Sequence, residues 1–260
     1  MREYRPKEKL LANLMSTSNP ALNEKAFRGT IGAFENPMTV QGTVNKTGLL
    51  LLCALATAAW TWRLFMESHS AASVEIPMMA GVFGGFIVAL VTIFKKEWSP
   101  VTAPVYALLQ GLAMGGFSAV LELRFPGIAI QAVSLTFGTL LVMLLAYRSG
   151  LIKVTQKFRM GVIAATGAIM LFYLLQLVLG FFGVHFAAIN GSGPLGIGIS
   201  LVIVGIAALN LVLNFDFIEN AVRAGAPKYM EWYGAFGLMV TLVWLYLEIL
   251  RLLTRLRGRN

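Results

Sequence analysis

The chain has 260 residues, 57% of them hydrophobic and only 13% charged, with a mean hydropathy of +0.74. A soluble domain carries about a quarter charged residues, so a pair of ordinary soluble domains is excluded and a polytopic membrane protein is expected. The net charge of +9 is assigned to membrane topology and contact with anionic lipid, and no nucleic-acid-binding motif accompanies it.

The first 46 residues are polar and turn-rich (STSNP, GAFENP) and read as a cytoplasmic arm with little apolar periodicity, save for a short amphipathic helix around Glu24–Phe27. They lack the 7–15-residue apolar core of a cleaved signal peptide, so the first span is expected to direct insertion. A helix needs ~20 apolar residues to cross the hydrocarbon core. Seven runs meet or approach that, at about 47–66, 77–94, 102–121, 128–147, 160–182, 194–215 and 232–252. They are continuous rather than alternating, which excludes a β-barrel and predicts an all-α bundle over 47–255, with a basic tail at 256–260. Pro77 is expected in the first turn of the second helix, where no amide donor is needed.

Basic residues retained on the cytoplasmic side set orientation. The arm and the second, fourth and sixth connections hold fifteen Lys and Arg, against Arg63 and Arg124 in the alternate ones. The N-terminus is therefore expected inside. The tail runs against this bias, because Arg251, Arg255, Arg257 and Arg259 would lie outside after seven crossings. Either the tail violates the bias or the last segment re-enters.

Glycines and alanines at four-residue spacing (Gly81, Gly85, Ala89; Gly111, Gly115) predict close helix contacts, because small residues let backbones approach in lipid. The single Cys53 cannot form an intrachain disulfide and is expected to serve packing. The run GSGPLGIGIS lacks the GK[ST] of a phosphate loop and reads as a helix start. Ser200 has no nearby base to make it a nucleophile. His69 and His185 are too few and too far apart for a metal centre. Neither an enzyme nor a bound cofactor is expected.

The acidic residues carry more. Glu248 stands in WLYLEILRLL, within a run from Trp232 to Leu250 that has no other charge, and Asp216 stands in LNLVLNFDFIEN, with Glu219 one turn on. Ionisable side chains at membrane depth are functional candidates by default. The plainer role for Glu248 is an intrahelical pair with Arg251, three residues on and on the same face.

The stretches DFIENAVRAGAPKYMEWYGAFGLMVTLVWLYLEILRLL and MTVQGTVNKTGLLLL resemble the Bax-inhibitor family of membrane proteins, specifically a bacterial branch with a long N-terminal arm. The resemblance covers about residues 16–255. It implies a seven-helix bundle with the last helix central, in a bacterial inner membrane. It also implies a pH-sensitive calcium leak controlled by an acid pair on the sixth and seventh helices. Carried over, that pair falls on Asp216 and on Glu248 within Leu245-Tyr246-Leu247-Glu248, with Arg251 as charge partner. Glu replaces the family's Asp at the second position, and the two acids are farther apart in sequence than expected. In contact, two such carboxylates would share a proton and form a weak, transient calcium site. If both helices instead start at the membrane face, Glu248 would lie near the outer side, close to Glu122 or Arg124. The rival function is regulatory: a membrane-protein partner, in survival signalling or in restraint of a membrane protease, held by the arm without ion conduction.

Overall fold

The computed structural model describes residues 36–183 and 191–258. The chain is helical throughout this range, and seven helices are long and apolar enough to cross a membrane. We number them α1 (Val40–Ser68), α2 (Ala72–Phe94), α3 (Ser99–Arg124), α4 (Ile128–Arg148), α5 (Gln156–Phe181), α6 (Pro194–Arg223) and α7 (Met230–Arg257). Each corresponds to one of the seven apolar runs.

Several helices extend beyond their apolar run. Thr39 caps α1, its Oγ1 accepting from the Gly42 amide at 2.9 Å, so helix begins at Val40 rather than 47 and includes Lys46. Pro77 lies inside α2 rather than in its first turn. It cannot donate to the Ser73 carbonyl, and the turn that follows, Ala80–Gly84, is widened to a π-turn. Pro194 does open α6, after Gly193, as expected of the GSGP run. The arm through residue 35 and His185 lie outside the described residues.

α7 is the axis of the bundle. It is the most enclosed of the seven, and α1, α3, α4 and α6 pack around it while α2 and α5 flank them, chiefly against α3 and α6. The last helix is thus central but is wrapped mainly by four neighbours rather than six. Apolar burial gives little drive between helices in lipid, so close backbone contact matters. A Cβ on Gly111 or Gly115 would lie 2.2 or 2.4 Å from the Ala54 or Ala58 carbonyl oxygen, and one on Gly81 would lie 2.5 Å from that of Leu109. The small-residue spacing therefore packs α3 against both α1 and α2. Cys53 packs against the core.

α7 is one continuous helix of 28 residues, ~42 Å long. The last segment does not re-enter, and its arginines lie at the end of the bundle opposite that where α1 begins.

Candidate functional site

Two polar contacts fix the register of α6 against α7. Asn214 donates through Nδ2 to Thr241 Oγ1 at 2.7 Å, and Arg255 donates to Ser200 Oγ at 2.8 Å. In these antiparallel helices both contacts give the same alignment, which places Asp216 level with Met239. Glu248 lies nine residues farther along, ~13 Å at 1.5 Å per residue.

Asp216 and Glu248 therefore do not form a pair. The reason is geometric: α6 runs unbroken to Arg223 and α7 starts at Met230, so nothing shortens the path between them. The two carboxylates cannot share a proton or grip one calcium ion together. The groups that do meet at this level of the α6–α7 seam are Asn214 and Thr241, both neutral and buried. Asn214 Oδ1 is buried without a hydrogen-bond partner.

Each acid instead has its own arginine. Asp216 accepts from Arg159 of α5 at 2.6 Å and from Asn220 Nδ2, one turn on in α6, at 3.1 Å. Arg159 is buried, an expensive position for a guanidinium unless it is paired. Glu219 extends this cluster, accepting from Tyr147 of α4 and pairing with Arg223 at 2.6 Å.

At the other end Glu248, 1% exposed, accepts from Tyr173 Oη of α5 at 2.7 Å, and both its oxygens accept from Arg251 at 2.8 Å. Arg251 also donates to Tyr173 and lies over its ring at 5.0 Å. The intrahelical pair is real, and Tyr173 turns it into a contact between helices. Glu248 meets neither Glu122 nor Arg124. Glu122 accepts from the Gly127 and Ala129 amides, satisfying donors at the α4 N-terminus that have no intrahelical partner.

A second fully buried acid was not singled out by the sequence. Glu231, fully enclosed at the start of α7, pairs with Lys46 of α1 and with Lys228 at 2.9 Å. It also accepts from Thr39 N and Oγ1 at 2.8 and 3.0 Å. Beside it, Met38 N donates to Ala226 O at 2.7 Å, tying the segment before α1 to the α6–α7 connection. It escapes a reading by apolar runs because it stands just outside the run that begins at Trp232.

Sequence comparison bears on this arrangement. Residues 19–258 match the family described as Bax inhibitor 1 like. The chain belongs to that family. No curated protein and no solved structure matched it. As a family member with seven candidate spans, it is an integral membrane protein.

The arrangement also shows how α5 is held. The buried residues of this Bax inhibitor 1-like chain in α5 are Arg159, Val162, Thr166 and Ile169, one narrow stripe. Along it, Arg159, Thr166 and Tyr173 lie seven residues apart. Each reaches a polar partner, respectively Asp216, Asn210 (2.8 Å) and Glu248. A seven-residue spacing keeps side chains on one helix face. The sequence signal was available: Arg159 just before the fifth apolar run, with Thr166 and Tyr173 following within it at heptad spacing.

Proposed function

We propose that this chain is a pH-sensitive cation leak, with calcium as the permeant ion, in which α5 is the moving element. The observation that carries the reading is that α5 is held by polar clasps at Arg159, near its start, and at Tyr173, two turns before its end, and by little apolar packing. Both end clasps depend on an ionised carboxylate. The groups facing Asp216 are Arg159 from α5, Asn220 and Glu219 from α6, and Tyr147 of α4 through Glu219; those at Glu248 are Tyr173 from α5 and Arg251, with Arg255 one turn beyond. Acid neutralises a carboxylate and removes its attraction for arginine. α5 would then separate from α6 and α7 and open a path along their polar residues. Calcium prefers six to eight oxygen ligands, so each isolated carboxylate would be a brief stopping point rather than a binding site. The two acids act as separate sensors, not as a proton-sharing dyad.

We place the protein in a bacterial inner membrane, following its resemblance to the bacterial branch, with its N-terminus cytoplasmic on the strength of the basic bias. A cysteine at Ser192 should react with an impermeant thiol reagent outside intact cells and one at Ser149 should not; the reverse would overturn this orientation.

The leak is tested by reconstituting the full chain in liposomes loaded with a calcium dye and scanning pH from about 5 to 8. Flux that rises as pH falls supports the reading. Absence of flux at every pH, with the protein inserted and folded, would favour the regulatory role instead. That role has its own support in the anchored segment at Met38 and Thr39, which would present residues 1–35 to a membrane-protein partner.

A further inference from the structure

Two cavities adjoin at the α5–α6 face. One is an apolar groove between these helices, lined among others by Ala165, Ala168, Gly198 and Val202. The other is a smaller polar pocket lined by Tyr173, Gln176, Ser200, Arg251 and Arg255. They share Phe172, Ile199 and Ile203 as walls, so the groove leads into the pocket. The groove faces outward, with Leu195 and Val202 exposed along it.

Charge and depth define what fits. Among the described residues, Glu248 is the carboxylate of this cluster, and Arg251 already matches it. Arg255 bonds the neutral oxygens Gly196 O and Ser200 Oγ, which leaves its positive charge in excess. Measured from the middle of α7, Arg251 and Arg255 lie ~11 and ~17 Å along the axis. The hydrocarbon half-thickness is ~15 Å, so Arg255 sits at headgroup depth and Arg251 about a turn below it, while Ala165 and Ala168 on the α5 side, beside Thr166 and hence level with Asn210, carry the groove down into the acyl region. Guanidinium is the side chain best suited to phosphate oxygens.

We propose that this composite cavity binds an anionic phospholipid, its phosphate at Arg255 and Arg251 and one acyl chain in the α5–α6 groove. The site does not depend on ion conduction. It would fill the space behind the flanking helix, so bound lipid would hold α5 in place independently of the carboxylate clasps.

The test is native mass spectrometry of the full-length protein in mild detergent. It is titrated with phosphatidylglycerol and, separately, with phosphatidylcholine of the same acyl chains. Phosphatidylglycerol should be retained about fivefold more strongly, the scale of one basic side chain at an anionic headgroup. Arg255→Gln should bring it down to the phosphatidylcholine level, and Arg255→Lys should keep most of the preference. A Cβ at Gly198 meets nothing within 4 Å, so Gly198→Leu should fold normally and weaken retention of both lipids by obstructing the groove. This variant decides the matter if Arg255→Gln does not fold. Equal retention of the two lipids by the unmodified protein would overturn the proposal, as would unchanged lipid retention in Gly198→Leu. Full displacement by inorganic phosphate alone would also overturn it, marking a small-anion site.

Discussion

α5 and α7 are both long and apolar, yet they are held in opposite ways. α7 is enclosed from Met230 to Leu250, and its buried polar residues Glu231, Thr241 and Glu248 are each met by partners from outside the helix. α5 buries one stripe, and the polar residues on that stripe are its attachments. In lipid, where apolar contact between helices adds little, the difference separates a helix that cannot move without unfolding the bundle from one that can detach by losing a few hydrogen bonds. On the proposed reading the same chemistry, a carboxylate with a basic partner, is structural at Glu231 and releasable at Asp216.

The comparison would be broken most severely at α7. Glu231→Leu strands Lys46 and removes the acceptor for Thr39, and breaking a buried pair from one side costs about 3–5 kcal/mol. The variant should lose most of its folded fraction in detergent, read by a thermal-shift or aggregation assay. Near-normal stability would mean that the start of α7 is no more fixed than α5.

The next effect concerns the clasps. Asp216→Asn and Glu248→Gln remove the charge while keeping shape and hydrogen-bonding capacity. Each should raise calcium flux at pH 8 several-fold and flatten its rise toward pH 5, because the neutral amide mimics the protonated acid. Sites well beyond 7–10 Å apart with no shared partner contribute additively, so the double variant should approach the sum of the two on a free-energy scale. A double variant no different from either single would mean that the acids act as one unit despite their separation. If both singles keep the parent pH profile, the sensor mechanism is wrong.

Arg251→Gln sharpens the distinction at one end. Glu248 would keep Tyr173 but lose its cation, so flux should rise and the protein should lose about 1–3 kcal/mol. pH sensing through Asp216 should survive. The smallest effect belongs to the middle clasp. Thr166→Val removes one of the two acceptors of Asn210 Nδ2, which keeps Ile206 O, and hydrogen bonds between membrane helices average about 0.6 kcal/mol. A barely measurable change in Tm, with the pH profile unmoved, is expected. A large change would make α5 as firmly fixed as α7.

How much of this was legible beforehand depends on what each feature rests on. The seven helices were, because membrane thickness imposes an apolar length that any crossing segment must show. Their ends were not: Val40–Lys46 and Phe217–Arg223 are helical through a cap at Thr39 and an i,i+4 pair between Glu219 and Arg223, features that an apolar run does not contain. Glu248 as a buried acid paired with Arg251 could be read from three-residue spacing. Whether it met Asp216 could not, since that turns on the register between two helices, set here by Asn214–Thr241 and Arg255–Ser200. Asn214 and Thr241 drew no attention because neither ionises. Arg159 was counted as a loop charge because helix α5 begins three residues before it, one turn earlier than its apolar run.

The glycines of α5 and of the tightly packed α2 and α3 extend the contrast to mutational tolerance. At Gly81, Gly111 and Gly115 the first added carbon would collide with a neighbouring main chain, while at Gly161, Gly167 and Gly180 of α5 it would meet nothing within 4 Å. A saturation library would therefore read α2 and α3 as frozen at those positions, with even alanine depleted. The glycines of α5 should accept alanine and larger apolar residues. The molecule thus carries a rigid keel and a helix free to diversify, and new lipid or gating behaviour could be acquired on α5 without disturbing the rest.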